Sequence, residues 1–149
     1  MNLAELCNRE VVIIEPEEPI LAAAKLMRRF HVGDLVVVEK KEDSAFPVGI
    51  LTDRDILIKV IAAEVDLQDL TVADVMSSEL LTVSETATIV DAIRLMRGQG
   101  VRRLPVVNEQ GGLEGIVTVD DLIDLIAEML KDIVCLISSE QKKEQRKCV

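Results

Sequence analysis

The sequence predicts a mixed α/β (α+β) fold of two β-α-β-β-α repeats packed face to face with pseudo-twofold symmetry. Three observations carry this. Short β-branched runs alternate with segments whose apolar residues recur every three or four positions. The pattern then restarts: Thr82-Val83 stands 69 positions after Ile13-Ile14, Ile89 after Ile20, Leu95-Met96 after Leu26-Met27, and Val106-Val107 after Val37-Val38. Finally, one turn occurs twice, as GILTDRD at Gly49 to Asp55 and as GIVTVDD at Gly115 to Asp121, now 66 positions apart. The three-residue shortening falls between the two inner strands, where a loop absorbs it. A unit of about 55 residues with one open apolar face is too small to stand alone, so pairing the copies closes the core and relates two clefts by the axis.

In the first copy, Val11 to Ile14 read as a strand that stops at Glu15-Pro16, since proline has no N–H for a ladder. A helix runs from about Pro19 to about Phe30, with Ile20, Ala23, Ala24, Met27 and Phe30 on its buried face. His31 to Asp34 turn the chain into Leu35 to Val38, an apolar run suited to a strand covered on both sides. Lys40 to Ser44 is a polar loop, Val48 to Leu51 the next strand, and Asp53 to about Glu64 the closing helix.

The boundaries follow: repeat 1 over 5–65, a linker over 66–78 with a short helix at Val72 to Met76, and repeat 2 over 79–131. A C-terminal helix extension and tail occupy 132–149. That last helix, Leu122 to about Glu140, carries Ile123, Ile126, Leu130, Ile133 and Ile137 on one stripe and is longer than its counterpart, so it has a surface to pack against something. Gln141 to Val149, with Lys142, Lys143, Arg146 and Lys147, reads as a solvated basic tail.

Composition excludes several function classes. With 27 acids against 17 bases the net charge is −10, which repels phosphate backbones, and with Phe30 and Phe46 as the only aromatics there is no stacking platform for bases. Nucleic acid is therefore not an expected partner. Cys7, Cys135 and Cys148 form neither an even set nor a CxxC pair, which fits a reducing, cytoplasmic setting. The N-terminus has acids where a signal peptide has bases, and no apolar stretch is long enough for a membrane span, so no membrane association is expected. His31 is the only histidine, so His triads and zinc sets lack parts, and it reads as a helix-end residue. The acid pairs Asp53/Asp55 and Asp120/Asp121 read as helix-dipole partners, with a divalent cation as the alternative, while Met27 and Met96 read as core. No phosphate-loop or dinucleotide fingerprint is present, and no catalytic residue is expected.

The repeated turn has two readings. A Thr followed three residues later by an Asp is a capping box, in which both side chains satisfy orphan amides at a helix start. It is also a ready anion site with a carboxylate placed to hold sugar hydroxyls. The sequence leaves both open.

Two β-α-β-β-α units, each with G-h-h-T-x-x-D at the last strand-to-helix turn, resemble a tandem pair of cystathionine-β-synthase (CBS) domains, the Bateman module. Gly100 to Val107 (GVRRLPVV) resembles the family's strand entry before the last hairpin, and His31 to Val38 (HVGDLVVV) is the first copy's version. The resemblance spans roughly residues 5 to 131. It implies a regulatory module without catalytic activity that binds adenosine compounds (AMP, ADP, ATP or S-adenosylmethionine) as ligands, with no obligatory cofactor. It also implies site roles: Asp55 and Asp121 accept from ribose hydroxyls, Thr52 and Thr118 donate to phosphate or sugar, and the base reads backbone groups near Val12 and Thr82. Arg102 and Arg103 would favour an anion in the second cleft, where a guanidinium grips phosphate bidentately. The first cleft has Gly33 and Asp34 at those places and an extra Asp53, partly offset by Arg54. Pairs of this family often assemble as homodimeric four-repeat discs. The alternative functions are a ligand-free dimerisation scaffold whose last helix docks a protein partner, and a carrier of cations.

Overall fold

The computed structural model describes residues 1–147. They form two units, Met1–Val117 and the segment from Thr118 onward.

In the first unit, α1 (Leu3–Leu6) precedes β1 (Ile13–Ile14), α2 (Ile20–Phe30), β2 (Asp34–Lys41), β3 (Ser44–Thr52) and α3 (Asp53–Ile56). Then come α4 (Val72–Val75), β4 (Val83–Ser84), α5 (Ile89–Gln99), β5 (Arg103–Val107) and β6 (Leu113–Thr118), which ends at the boundary. Two three-stranded sheets result, ordered β1-β2-β3 and β4-β5-β6. In each, the first strand runs parallel to the second, and β3 returns antiparallel to β2. This is the expected β-α-β-β-α arrangement, twice.

Alternation along β2 divides the core. Leu35 and Val37 point toward the helices and join Ile14, Ile20, Met27, Leu51 and Val72 in one cluster. Val36 and Val38 point the other way and pack with Ile116 and Leu113 of the second sheet. The two sheets therefore share a core, which is the face-to-face packing that each small repeat needs.

Several boundaries differ from the sequence reading for physical reasons. The first strand is only Ile13–Ile14, although the Val12 carbonyl still accepts from the Val36 N–H at 3.2 Å. Lys40 to Ser44 is not a loop: β2 and β3 continue to a tight turn, where Glu42 takes a left-handed conformation (φ 54°). Pro47 lies inside β3 beside a bulge at Val48, the residue left unpaired where Val37 faces Gly49 and Val38 faces Pro47, which accommodates its missing N–H. Phe30 ends α2 half-exposed (49%) under the Arg29 guanidinium, not in the core, because the chain turns away at left-handed His31. The helix expected to about Glu64 passes after Ile56 into a π turn, Leu57–Ile61.

The short helices α1 and α4 are a further pair of repeat equivalents, since Leu3 and Cys7 stand 69 positions before Val72 and Met76. Each precedes one repeat and docks on the other. Val72 N–H donates to the Glu18 carbonyl (2.8 Å), and Ser77 and Ile50 exchange backbone bonds of 2.9 and 3.1 Å. Reciprocally, Leu3 N–H donates to Ala87 (3.0 Å), and Asn8 and Ile116 exchange two bonds of 2.9 Å. This swap explains the glycine that opens each GILT/GIVT turn. A Cβ at Gly49 would lie 2.7 Å from the Ser77 carbonyl oxygen, and one at Gly115 would lie 2.7 Å from that of Asn8.

The second unit is α6, Val119–Lys147, 29 residues long. The helix expected to stop near Glu140 continues through the basic stretch instead. Gln, Lys, Glu and Arg are good helix formers, and bases near a C-terminus complement the helix dipole. The expected tail residues Cys148 and Val149 lie outside the described residues.

Candidate functional site

At the first motif the capping box is closed. Asp55 N–H donates to Thr52 Oγ1 (3.0 Å), and Thr52 N–H donates to Asp55 Oδ2 (3.0 Å). The other Asp55 oxygen, Oδ1, lies 3.4 Å from Lys59 Nζ, which also donates to the Val75 carbonyl (3.1 Å). The next two amides are satisfied as well: Asp53 N–H by the Gly33 carbonyl (2.9 Å) and Arg54 N–H by Asp53 Oδ1 (2.8 Å). All four amides from Thr52 to Asp55 are thus taken by the protein, and Asp53 puts a carboxylate where an anion would sit. Thr52 and Asp55 are part-buried, while Asp53 and Arg54 are exposed.

The second motif, within the second unit, builds the same box: Asp121 N–H to Thr118 Oγ1 at 3.2 Å and Thr118 N–H to Asp121 Oδ2 at 2.9 Å. Val119 stands where the first copy has Asp53, so the first helical residue offers no competing carboxylate.

Arg103 forms an ion pair with Asp34. These residues are 69 positions apart, so they are repeat equivalents that meet each other. Two like residues at such a contact would repel, whereas an acid in one copy and a base in the other attract. Asp34 also lies opposite Thr52 in the β2–β3 register, which brings the Arg103 guanidinium to the first motif's strand. Arg102 is exposed, and Thr82 is part-buried just before β4.

Two cavities of the first unit separate the expected first-cleft residues. Val12 lines a space of about 530 Å³ with Leu26, Phe30 and Val32, and Arg54 lines one of about 520 Å³ with Met27, Leu57 and Ile61. Thr52 and Asp55 line neither. A third cavity, about 440 Å³, runs beside β1 between Lys25, Arg29 and Lys40 with Glu15 and Glu18 at its rim. It was not anticipated, although Lys25 and Arg29 are one helical turn apart. All three have the volume of small-ligand pockets.

Elsewhere, Asp91 is held below the ordinary carboxylate range because the Thr88 N–H donates to it in another capping box. Burial pushes the Cys7 thiol up. His31 caps the end of α2, as expected of a helix-end residue. Among the described residues, no group of three or more His, Cys, Asp or Glu is placed to hold a metal ion. No described helix is long and apolar enough to cross a membrane.

These features coincide with a known family. The CBS domain profile matches residues 3–62 and 72–128. An uncharacterized protein of Methanopyrus kandleri, MK0525, is 34% identical over 145 residues, 97% of this chain and 70% of that one. The CBS domain-containing protein YhcV of Bacillus subtilis is 39% identical over 121 residues, 81% of this chain and 82% of its own. Among solved structures, the cytosolic domain of the Mg2+ channel MgtE in complex with ATP has a TM-score of 0.70 at 27% identity, covering 83% of this chain and 48% of that one. The CBS domain pair of protein MJ0100, crystallised with 5′-methylthioadenosine and S-adenosyl-L-methionine, shares the fold with a TM-score of 0.73 at 22% identity, covering 87% and 98%. The chain belongs to the CBS domain family. It is a tandem CBS pair, a class of module that regulates and does not catalyse.

Proposed function

We propose that this CBS pair is a cytoplasmic sensor of an adenosine compound, AMP, ADP, ATP or S-adenosylmethionine, bound at the second motif in preference to the first. The observation that carries the preference is the exchange of Asp53 for Val119 at the first helical position of otherwise matching capping boxes. Where Asp53 caps the Arg54 amide, a ligand phosphate meets a carboxylate; at the second motif the equivalent residue, Val119, carries none. In this reading Asp121 accepts from ribose hydroxyls, Thr118 donates to sugar or phosphate, and the base reads backbone near Thr82. A carboxylate keeps acceptor capacity beyond one cap bond, and a guanidinium has five donors, so Arg103 can keep Asp34 while serving a phosphate alongside Arg102. The ATP complex of the MgtE domain supports the ligand class.

Regulation follows if the ligand binds one arrangement of the repeats better than another. The Asp34–Arg103 pair is the point at which a phosphate would act, since a phosphate that shares the Arg103 guanidinium weakens its hold on Asp34 and with it a link between the copies. The sensor works in this reading as a homodimer of four repeats.

The test is a thermal-shift panel of AMP, ADP, ATP, S-adenosylmethionine and NADH. A ligand at a hundred times its dissociation constant adds about 2.7 kcal/mol, a rise of roughly 5–10 °C for a chain of this size. The rise should vanish in Asp121→Ala and persist in Asp55→Ala. Loss in Asp55→Ala alone would move the site to the first motif. A flat panel would leave the ligand-free scaffold.

A further inference from the structure

The apolar stripe on α6 is uncovered. Ile123, Ile126, Leu130, Ile133 and Ile137 are each 52–61% exposed, and Met129 and Leu136 on one flank and Val134 on the other are 56–65% exposed. Six of these eight lie beyond residue 128, where the CBS match ends, so the fold of the pair does not account for them. Their exposed area is on the order of 800 Å², the share that one partner contributes to a standard protein interface. At 100° per residue all eight fall on one broad face, while Asp121, Asp124, Glu128 and Asp132 fall on the other.

We infer that this face of α6 docks the same face of a second copy of the chain, with the two helices antiparallel. The spacing of three and four places Ile123, Ile126, Leu130, Ile133 and Ile137 on alternate seam positions, the pattern by which helices pair with each other. One antiparallel register fills every layer from residue 126 to residue 137: Ile126 opposite the partner's Ile137, and Leu130 opposite the partner's Ile133. In that register the flanks close with Met129 against the partner's Leu136 and Val134 against the partner's Ala127.

Charge sets the direction. From Val119 to Asp132 the helix has five acids and one lysine, and from Ile133 to Lys147 it has four bases and two acids. Parallel pairing would lay acid beside acid and base beside base. Antiparallel pairing lays the basic C-terminal half of each helix along the partner's acidic N-terminal half and also opposes the helix dipoles favourably. The inference is independent of any bound ligand.

Sedimentation of the full chain at about 100 μM, well above the dissociation constant of an interface of this size, should give twice the chain mass. Leu130→Glu with Ile133→Glu should return it to the monomer while a single cooperative melt of the CBS pair is retained, its midpoint lowered only by the lost association. Both positions are exposed, so a fold defect is not expected, and Ile126→Lys serves as a second variant. A wild-type monomer, or dimers that survive both variants, would overturn the proposal. Direction is read from disulfides in a Cys135→Ser, Cys148→Ser background. Ile126→Cys and Ile137→Cys should cross-link when co-expressed and not when each is made alone. Self-cross-linking of each single variant would mean parallel helices and overturn the assigned direction.

Discussion

Replacing Gly115 by alanine tests the swapped architecture directly. The added Cβ would sit 2.7 Å from both the Asn8 carbonyl oxygen and Cys7 Sγ, where ordinary contact begins at 3.4 Å. The end of α1 must therefore retreat by about 0.7 Å, which stretches the paired Asn8–Ile116 bonds from 2.9 Å to about 3.6 Å, beyond hydrogen-bond reach. Overpacking costs about 1–3 kcal/mol and each of the two lost backbone bonds about 1 kcal/mol, so a total of about 3–5 kcal/mol is expected. For a chain of this size that lowers Tm by roughly 6–20 °C. Cys7→Ala should not rescue the variant, because the backbone oxygen remains in place. Gly98→Ala is the control: it sits in α5 with nothing within 4 Å, and should stabilise by about 0.5–1 kcal/mol as a better helix former. Urea and thermal melts of the three variants decide it. If Gly115→Ala melts with the wild type, α1 does not dock on the second repeat as described.

Asp34→Arg should destabilise by about 1–2 kcal/mol by setting two guanidiniums together, and the exchange Asp34→Arg with Arg103→Asp should restore most of it in a double-mutant cycle. Iodoacetamide should label exposed Cys135 in the native protein while Cys7, buried and with a raised thiol pKa, reacts only on unfolding, as peptide mass mapping will show. The Asp91 cap depends on pH. Because its folded pKa is depressed, its contribution is present above the unfolded value of about 3.9 and is lost as pH falls through the folded value, so the Tm gap between wild type and Asp91→Asn should close on acidification.

Much of the fold was legible because a repeat offset is a strong signal: equal spacing through strand, helix and strand leaves few alternatives. The capping boxes at Thr52 and Thr118 were legible too, since a cap depends on neighbours three residues apart. Long-range features were harder to read. Nothing in the periodicity of a four-residue helix marks α1, and only the 69-residue offset relates Leu3 to Val72. The Asp34–Arg103 pair was visible as an odd acid in place of a base, but its reason, two equivalents meeting, needs the packing of the repeats. Phe30 was misplaced because helical spacing assigns a face without saying where the sheet beneath it ends. The basic stretch from Gln141 was read as a tail by its charge, whereas its residues are good helix formers.

The central claim is that the second T-x-x-D turn holds an adenosine compound. Isothermal titration of AMP, ATP and S-adenosylmethionine into wild type and Asp121→Ala tests it most directly, because Asp121→Ala by itself costs only about 1 kcal/mol of capping and leaves the fold in place. The account predicts saturable binding of at least one compound to the wild type and none to the variant. Equal binding by both proteins, or no heat from any compound with either, would contradict it.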